Sequence, residues 1–177
     1  MNYYIRQAVA EDYDDINSLI KDIHNIEYDN RPDVYLDEDN KNGRDHFIAF
    51  INEGNNKVFV AENREENELV AYAILKIVSS RNIHRNNGKI AFLDSFAIKE
   101  KYKSSGIGNK LFNHIVNFVR KEKAVAFQMT IWEFNKYAVE FYERLGLSIK
   151  EPEMELSLYL EAVSYTHLRA HETEADL

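Results

Sequence analysis

A stretch near the middle of the chain limits the choice of folds, since it joins an apolar strand-like run, a polar loop and a long amphipathic helix. The run Lys89–Ile98 has the composition of a strand, and Lys99–Ser105 is predicted to be a loop. A helix is predicted over Gly106–Glu122, because apolar residues recur every four positions at Ile107, Leu111, Ile115 and Val119. Glycine permits close backbone approach to a ligand, and a helix N-terminus directs free N–H groups outward. The loop Lys103–Asn109 is therefore a candidate site for an anion such as a pyrophosphate.

Two known phosphate-binding loops do not match this segment. A Walker loop needs Gly-Lys-Ser/Thr, whereas Gly108 is followed by Asn109 and Lys110. A Rossmann fingerprint needs a third Gly or Ala where this chain has Leu111. Two alternatives stay open on these residues alone: glycines that only shape a tight turn, and a nucleotide-binding domain that uses this helix end for another phosphate ligand.

Strands and helices interleave along the chain without an internal repeat. Strands are predicted over Tyr3–Gln7, Lys57–Glu62, Leu69–Val78, Lys89–Ile98, Ala124–Ile131 and Met154–Leu160. Helices are predicted over Ala10–Ile26, Asp45–Asn52, Gly106–Glu122 and Asn135–Leu145, the last ended by Gly146 in the left-handed conformation. The order lacks the strict repetition of a doubly wound sheet, so the predicted fold class is α/β (α+β), a mixed sheet flanked by helices.

Composition excludes several kinds of chemistry. The 177 residues suit one domain, and the absence of cysteine excludes disulfides, zinc–thiolate sites, iron–sulfur clusters and a thiol nucleophile. With 22 basic and 30 acidic residues the formal charge is −8, which argues against a nucleic-acid partner. Apolar runs are too short for a membrane helix, and the acidic N-terminal segment does not resemble a signal peptide. We expect a cytoplasmic protein with no membrane partner.

The C-terminal segment resembles translated cloning-vector or adapter sequence from Ser164 onwards. We expect one domain over residues 1–160 and a non-native tail over residues 161–177. His167 and His171 have the spacing of two zinc ligands on a helix, but the Glu of a His-Glu-x-x-His helix is absent between them. No metal site is predicted.

Two motifs carry a resemblance to a known family. The run Phe92–Gly108 resembles motif A of the GNAT superfamily of acetyl-CoA-dependent N-acetyltransferases, Gln/Arg-x-x-Gly-x-Gly/Ala, with Lys103 at its first position. The run Trp132–Gly146 resembles motif B, Asn-x-x-Ala-x-x-Phe-Tyr-x-x-x-Gly. The resemblance covers residues 1–160. It implies the GNAT fold, a central mixed, mostly antiparallel twisted sheet of about six or seven strands with about four helices, in which a splayed strand pair binds acetyl-CoA.

The resemblance also implies a set of ligand-binding residues. Acetyl-CoA is the implied co-substrate, and no metal is implied. A backbone N–H near Phe96 would polarise the thioester carbonyl, and the lack of cysteine favours direct attack by an amine. The implied binding residues are Phe96, Ala97, Ile98, Lys103, Ser104, Ser105, Gly106, Ile107, Gly108, Asn109, Asn135 and Ala138.

Two residues are candidates for proton transfer. Tyr142 takes the position of the family's general acid, with a core aromatic beside Phe141 as the alternative interpretation. Asp94 is the candidate general base, where some relatives carry a carboxylate. An exposed strand residue or a structural hydrogen-bond acceptor is the alternative for Asp94, and a water relay would then replace it.

The acceptor side of the site is predicted to be acidic. The family's first helix and the loop after it line the acceptor. Between residues 22 and 39 this chain has seven carboxylates: Asp22, Glu27, Asp29, Asp33, Asp37, Glu38 and Asp39. They favour a primary amine of a small molecule or peptide, and a cationic amine in particular, unless the loop is simply solvated. Trp132 and Phe134 are either a specificity wall or core. A homodimer and a non-catalytic acyl-CoA-binding module stay open as alternatives.

Overall fold

The computed structural model describes residues 2–35, 43–80 and 88–155. The strands are β1 (Tyr3–Gln7), β2 (Asn56–Asn63), β3 (Glu68–Ser80), β4 (Gly88–Ile98) and β5 (Ala124–Met129). The helices are α1 (Tyr13–Asn30), α2 (Gly43–Asn52), α3 (Ile107–Lys121) and α4 (Lys136–Arg144). Within the described ranges, no helix has both the length and the apolar character needed to cross a bilayer.

The strands form one mixed sheet in the order β1-β2-β3-β4-β5. Every neighbouring pair is antiparallel except β4 and β5, which are parallel, so the predicted mixed and mostly antiparallel sheet is confirmed. The predicted count of six or seven strands is wrong for the described chain, which has five. Met154 lies outside any strand with 95% of its surface exposed, and residues 156–160 lie outside the described ranges. Alternating hydrophobicity predicts side-chain periodicity, but a strand also needs a neighbour to pair with.

Both faces of the sheet are buried. Successive side chains of a strand point to opposite faces, as β2 shows. Phe59 and Ala61 belong to a core under α3 and α4, whereas Val58 and Val60 belong to a second core under α1 and α2. The predicted stripe of α3 is fully buried in the first core, with Ile107, Leu111 and Ile115 at 0% exposure. The amphipathic pattern therefore orients α3 on the sheet.

Element boundaries differ from prediction at several ends. The first predicted helix begins as a 3-10 turn over Ala10–Asp12 and continues as α1 to Asn30, four residues beyond the predicted end at Ile26. The predicted loop Lys99–Ser105 contains a 3-10 turn, Glu100–Tyr102, which buries Tyr102. Gly146 has φ +90°, which confirms its predicted left-handed conformation after α4.

The chain divides into two compact units. The first contains residues 1–147 and includes every helix and strand described above. The second contains residues 148–177, of which residues 148–155 are described and lie outside helices and strands. The predicted tail over residues 161–177, with His167 and His171, lies outside the described residues.

A bidentate ion pair joins the first strand to the start of α1. The Arg6 guanidinium donates to Asp12 from Nη1 to Oδ2 at 2.7 Å and from Nη2 to Oδ1 at 2.8 Å, and it also contacts Glu62. The Val9 N–H donates to Asp12 Oδ2 at 2.7 Å. Burial alone would raise the pKa of Asp12, but the hydrogen bonds from Arg6 and Val9 outweigh it and hold this pKa below its ordinary value.

Replacing Asp12 by Asn should lower the free energy of unfolding by about 1–3 kcal/mol at pH 7, because buried donors lose a charged acceptor. Since the folded-state pKa of Asp12 is lowered, its contribution is present above the unfolded-state pKa and disappears as pH falls through the folded-state value, below about pH 4. Urea unfolding of both proteins should show a difference at pH 7 that shrinks at pH 3. A difference that is equal at both pH values would contradict this role.

Candidate active site

The parallel strands β4 and β5 part from each other halfway along β4. Their pairing runs from Lys89 opposite Ala124 to Leu93 opposite Met129 and then ends. Beyond Leu93, β4 continues beside β3 as far as Ile98 opposite Ala71. The strand pair predicted to splay does so, and it leaves a gap along one edge of residues 95–98.

A β-bulge at Asp94 decides which side chains face which side of this gap. The register of β4 with β3 shifts between Ser95 and Leu93, so Asp94 has no partner residue on β3. Leu93 and Phe96 both pack in the core under α3 and α4 although they are three residues apart. A bulge adds one residue to a strand, and here Asp94 and Ser95 therefore share the opposite face. Ser95 forms a 2.6 Å hydrogen bond there with the hydroxyl of Tyr72.

Backbone groups of β4 face the gap. The Lys99 N–H donates to the Val70 carbonyl at 2.8 Å, and hydrogen-bonded and non-hydrogen-bonded pairs alternate along an antiparallel ladder. Ala97 and Ser95 are then the residues bonded to β3, whereas the N–H and C=O groups of Phe96 and Ile98 point away from it. An extended ligand in the gap would find backbone donors and acceptors at these two residues.

The loop after β4 carries free donors at the start of α3. Gly106 is the N-cap residue with φ +85°, and Ser104 also has a positive φ of 63°. No residue of the described chain accepts a hydrogen bond from the N–H groups of Ile107, Gly108 or Asn109. These donors and the positive end of the α3 dipole fit the diphosphate of a coenzyme A molecule.

The glycines of this loop have different physical roles. A Cβ at Gly106 would meet no atom within 4 Å, so only its left-handed backbone requires glycine. A Cβ at Gly108 would lie 2.8 Å from Ile98 Cδ1 and 3.2 Å from the Phe141 ring, so here glycine permits close packing.

Two polar side chains of the same loop contact other parts of the chain. The Lys103 ammonium is paired with Glu100 and lies 5.6 Å from the Tyr137 ring centroid. The Ser105 hydroxyl accepts a hydrogen bond from Tyr3 at 3.1 Å.

Tyr142 lies beside the gap on the face covered by α3 and α4. Its side chain is buried at 5% exposure, and its ring centroid is 6.1 Å from that of Phe96 and 5.9 Å from that of Phe112. Burial raises the pKa of the Tyr142 hydroxyl well above its ordinary value. The Tyr142 ring therefore packs against the Phe96 side chain, and its hydroxyl stays protonated at neutral pH.

Asp94 lies on the opposite face of the sheet from Tyr142. Its side chain is 38% exposed, and Lys76 Nζ donates to Oδ2 at 3.1 Å.

Asn135 caps α4, because its Oδ1 accepts the Ala138 N–H at 3.1 Å. The predicted binding residues thus form two groups, one along β4 and the loop to α3, and one at the start of α4.

A cavity of about 380 Å³ opens on the Asp94 face between α1 and α2. Asp94 and Ile74 line it from the sheet, and Ile20 and His24 from α1 and Phe47 from α2 are among its other lining residues. No motif in the sequence predicts this cavity, because its walls come from four separated segments. Within the described ranges, no three His, Asp or Glu side chains converge as they would around a metal ion.

The aromatic residues before α4 contact the end of α1 and the segment that follows it. Trp132 Nε1 donates to the Tyr35 hydroxyl at 2.8 Å, and the Arg31 guanidinium lies 4.7 Å from the Trp132 ring centroid. Phe134 stacks on Trp132 at 5.8 Å. The contacts of Trp132 with Tyr35 and Arg31 join residues about 100 positions apart, so no local pattern could have predicted them.

The predicted acidic wall is dispersed. Asp22 and Asp29 are exposed, and Asp33 pairs with Arg31 at 2.7 Å. Glu27 is half-buried, and burial raises its pKa. None of these carboxylates lines the cavity between α1 and α2. The remaining three, Asp37, Glu38 and Asp39, lie outside the described residues.

The mixed sheet, the parted strand pair and the start of α3 define an acetyltransferase domain, the class that the two sequence motifs indicate. The family model described as the acetyltransferase (GNAT) family matches residues 20–147, and the chain belongs to this family.

A curated relative is the spermine/spermidine N(1)-acetyltransferase of Bacillus subtilis (strain 168), which is 28% identical over 82 residues. That match covers 46% of this chain and 53% of the relative, so the chain spans about half the length of the relative it matches.

Solved structures share the fold. The tetramutant of the BH1408 protein from Bacillus halodurans matches this chain with a TM-score of 0.82 and 22% identity. The match covers 88% of this chain and 99% of the BH1408 chain. An aminoglycoside acetyltransferase from an uncultured soil metagenomic sample, crystallised in complex with trehalose, has a TM-score of 0.65 and 17% identity. This match covers 90% of this chain and 97% of the aminoglycoside acetyltransferase chain. The predicted GNAT fold is confirmed.

Proposed function

We propose that this protein is an N-acetyltransferase that transfers the acetyl group of acetyl-CoA directly to a primary amine of a small molecule or peptide. The observation that carries the proposal is the position of the Tyr142 ring 6.1 Å from that of Phe96, whose backbone groups face the gap between β4 and β5. Tyr142 thereby packs on the residue whose backbone is the proposed oxyanion donor.

The start of α3 and the exposed edge of β4 are the proposed acetyl-CoA site. The free N–H groups of Ile107, Gly108 and Asn109 bind the diphosphate, and the backbone groups of Ile98 and Phe96 pair with the extended pantetheine arm. Bound acetyl-CoA supplies an acetyl thioester. The Phe96 N–H donates to the thioester carbonyl oxygen and stabilises the negative charge that develops there.

Two side chains account for the protons. Asp94 accepts the proton that the acceptor amine loses, either directly or through one water molecule. The amine nitrogen forms the new bond to the carbonyl carbon as the carbon–sulfur bond breaks. Tyr142 donates its proton to the departing thiolate, and its buried position keeps it protonated at neutral pH. The two groups act from opposite faces of the sheet.

The direct test is a thiol-release assay at fixed acetyl-CoA with a panel of primary amines. We expect release that depends on the amine and a matching mass increase of one acetyl group on it. Binding of acetyl-CoA without release for any amine would favour a non-catalytic acyl-CoA-binding module. Calorimetry with coenzyme A, ATP and NAD should show binding of coenzyme A alone, and tighter binding of ATP or NAD would overturn the assignment.

Replacing Asp94 by Asn should lower kcat/KM by about 10²- to 10⁴-fold at neutral pH, because the amine then lacks a general base. The Kd for acetyl-CoA should stay unchanged. Lys76→Met is the companion variant, since it removes the ion-pair partner of Asp94 and keeps the carboxylate itself. A loss of kcat/KM smaller than about threefold in the Asn variant would remove Asp94 from this role.

A further inference from the structure

Three side chains of the loop between β4 and α3 contact the turn between β2 and β3. Tyr102 is 3% exposed, and its hydroxyl lies 2.6 Å from Glu66 Oε2 and 2.8 Å from Glu68 Oε2. Lys101 Nζ lies 2.7 Å from Glu68 Oε2 and 3.3 Å from Glu66 Oε2. Lys99 Nζ lies 3.1 Å from Glu68 Oε1. The turn between two strands therefore holds the loop that leads to the proposed diphosphate site.

The Tyr102 hydroxyl is at the centre of these contacts. It has one proton, so it donates to one of the two carboxylates at a time, and it accepts a hydrogen bond from Asn63 Nδ2 at 3.4 Å. Asn63 is fully buried, and its Oδ1 accepts the Glu65 N–H at 3.1 Å. The Lys101 ammonium and the Tyr102 hydroxyl lower the pKa of Glu68 to about 2, so this carboxylate is charged at neutral pH. Hydrogen bonds to a charged acceptor are about twice as strong as neutral ones.

The other end of Tyr102 leads to the start of α3. The Tyr102 carbonyl accepts the Ser105 N–H at 3.2 Å, and Ser105 directly precedes Gly106, the N-cap of α3. The Tyr3 ring packs edge-on against the Tyr102 ring at 6.3 Å, and its hydroxyl donates to Ser105 Oγ at 3.1 Å. Ile107, the first residue of α3, is buried in the same core as Tyr102. A shift of Tyr102 would therefore also move the backbone that carries the donors.

From these contacts we infer that Tyr102 is a positioning residue of the acetyl-CoA site. Its hydroxyl, bound to Glu66 and Glu68, fixes the loop so that the N–H groups at the start of α3 point where the diphosphate binds. This inference rests on the proposed function and on its diphosphate site. The hydroxyl and the β2–β3 turn are not among the proposed ligand contacts, so their effect passes through the loop. A loop that is ordered before the ligand arrives binds it more tightly, because less conformational entropy is lost on binding.

The test compares the binding of coenzyme A and of pantetheine, which lacks the diphosphate, to the full chain. Tyr102→Phe keeps the buried ring and removes the hydroxyl. Calorimetry should show a Kd for coenzyme A that is raised about tenfold, because the loop loses a hydrogen bond to a charged group. The Kd for pantetheine, measured by NMR titration, should change by less than about twofold, since the pantetheine arm pairs with β4 and not with the loop.

Glu66→Gln tests the same contact from the surface. Glu66 is an exposed turn residue, and the substitution keeps the shape of the side chain while it removes the charge. This variant should raise the Kd for coenzyme A by about threefold or more and leave the Kd for pantetheine unchanged.

Asp12→Asn is the control for stability, because its contacts with Arg6 and Val9 belong to the first strand and the start of α1. It should destabilise the protein without changing either Kd. Three results would each overturn the inference and leave the proposed acetyl transfer intact: an unchanged Kd for coenzyme A in Tyr102→Phe, equal weakening of both ligands, or the same weakening of coenzyme A in Asp12→Asn. Failure of the wild-type protein to bind coenzyme A would overturn the proposed function and this inference with it.

Discussion

Replacing Tyr142 by Phe should lower kcat by about 10²- to 10⁴-fold while the Kd for acetyl-CoA changes little. The substitution removes one hydroxyl and keeps the ring that packs against Phe96, Phe112 and Phe141. No residue of the described chain forms a hydrogen bond with this hydroxyl, so its loss breaks no structural contact there. Rapid-quench measurement of acetyl transfer, with calorimetry for acetyl-CoA, separates the chemical step from binding.

The control for this variant lies on the same helix. Tyr137 is 52% exposed, and Tyr137→Phe removes a hydroxyl of the same kind while keeping the ring beside Lys103. It should retain wild-type kcat.

The pH–rate profile gives a second check on Tyr142. Because burial raises the pKa of Tyr142, we expect no basic limb of this profile from Tyr142 below about pH 10. If kcat of the Tyr142 variant falls by less than threefold, Tyr142 is a core aromatic residue and not the general acid.

Replacing Gly106 by Ala should weaken acetyl-CoA binding by about tenfold or more and lower the free energy of unfolding by about 1–2 kcal/mol. An L-residue is strained at φ +85°, and the backbone can relieve this strain only by rotating the peptide groups around the start of α3. Those groups carry the N–H donors of the proposed diphosphate site. Calorimetry with coenzyme A and urea unfolding measure the two effects separately.

Gly146 provides a closely matched control for this substitution. Its φ is +90°, and a Cβ there would also meet no atom within 4 Å. Gly146→Ala should therefore lower stability by a similar amount, about 1–2 kcal/mol, without weakening the binding of coenzyme A. If both alanine variants bind coenzyme A equally well, the start of α3 is not the diphosphate site.

Much of the fold could be predicted because it depends on short-range patterns. The four-residue recurrence of apolar side chains in α3 and the turn glycine after α4 each belong to a single contiguous segment. Such periodicity identifies which side of a helix is buried, and the structure buries that side of α3 completely. The count of strands was less predictable, because a strand needs a pairing partner elsewhere in the chain as well as alternation within its own segment.

The candidate site was predicted in its parts but not in its geometry. The motifs identified Tyr142 and Asp94, yet the bulge at Asp94 was needed to put that residue on the α1 and α2 face with Ser95. A bulge is a property of two paired strands, so one strand alone does not reveal it. The pairing of Lys76 with Asp94 arises in the same way, from the register of β3 against β4.

From the sequence by itself came the order of elements, the glycine-containing helix start and the candidates for proton transfer, because each depends on residue type or on spacing within one segment. Tertiary structure alone decided the parting of β4 from β5, the opposite faces of Asp94 and Tyr142, and the apolar walls of the cavity. These features join segments distant along the chain, and their proximity results from strand register and helix packing, which no local pattern records.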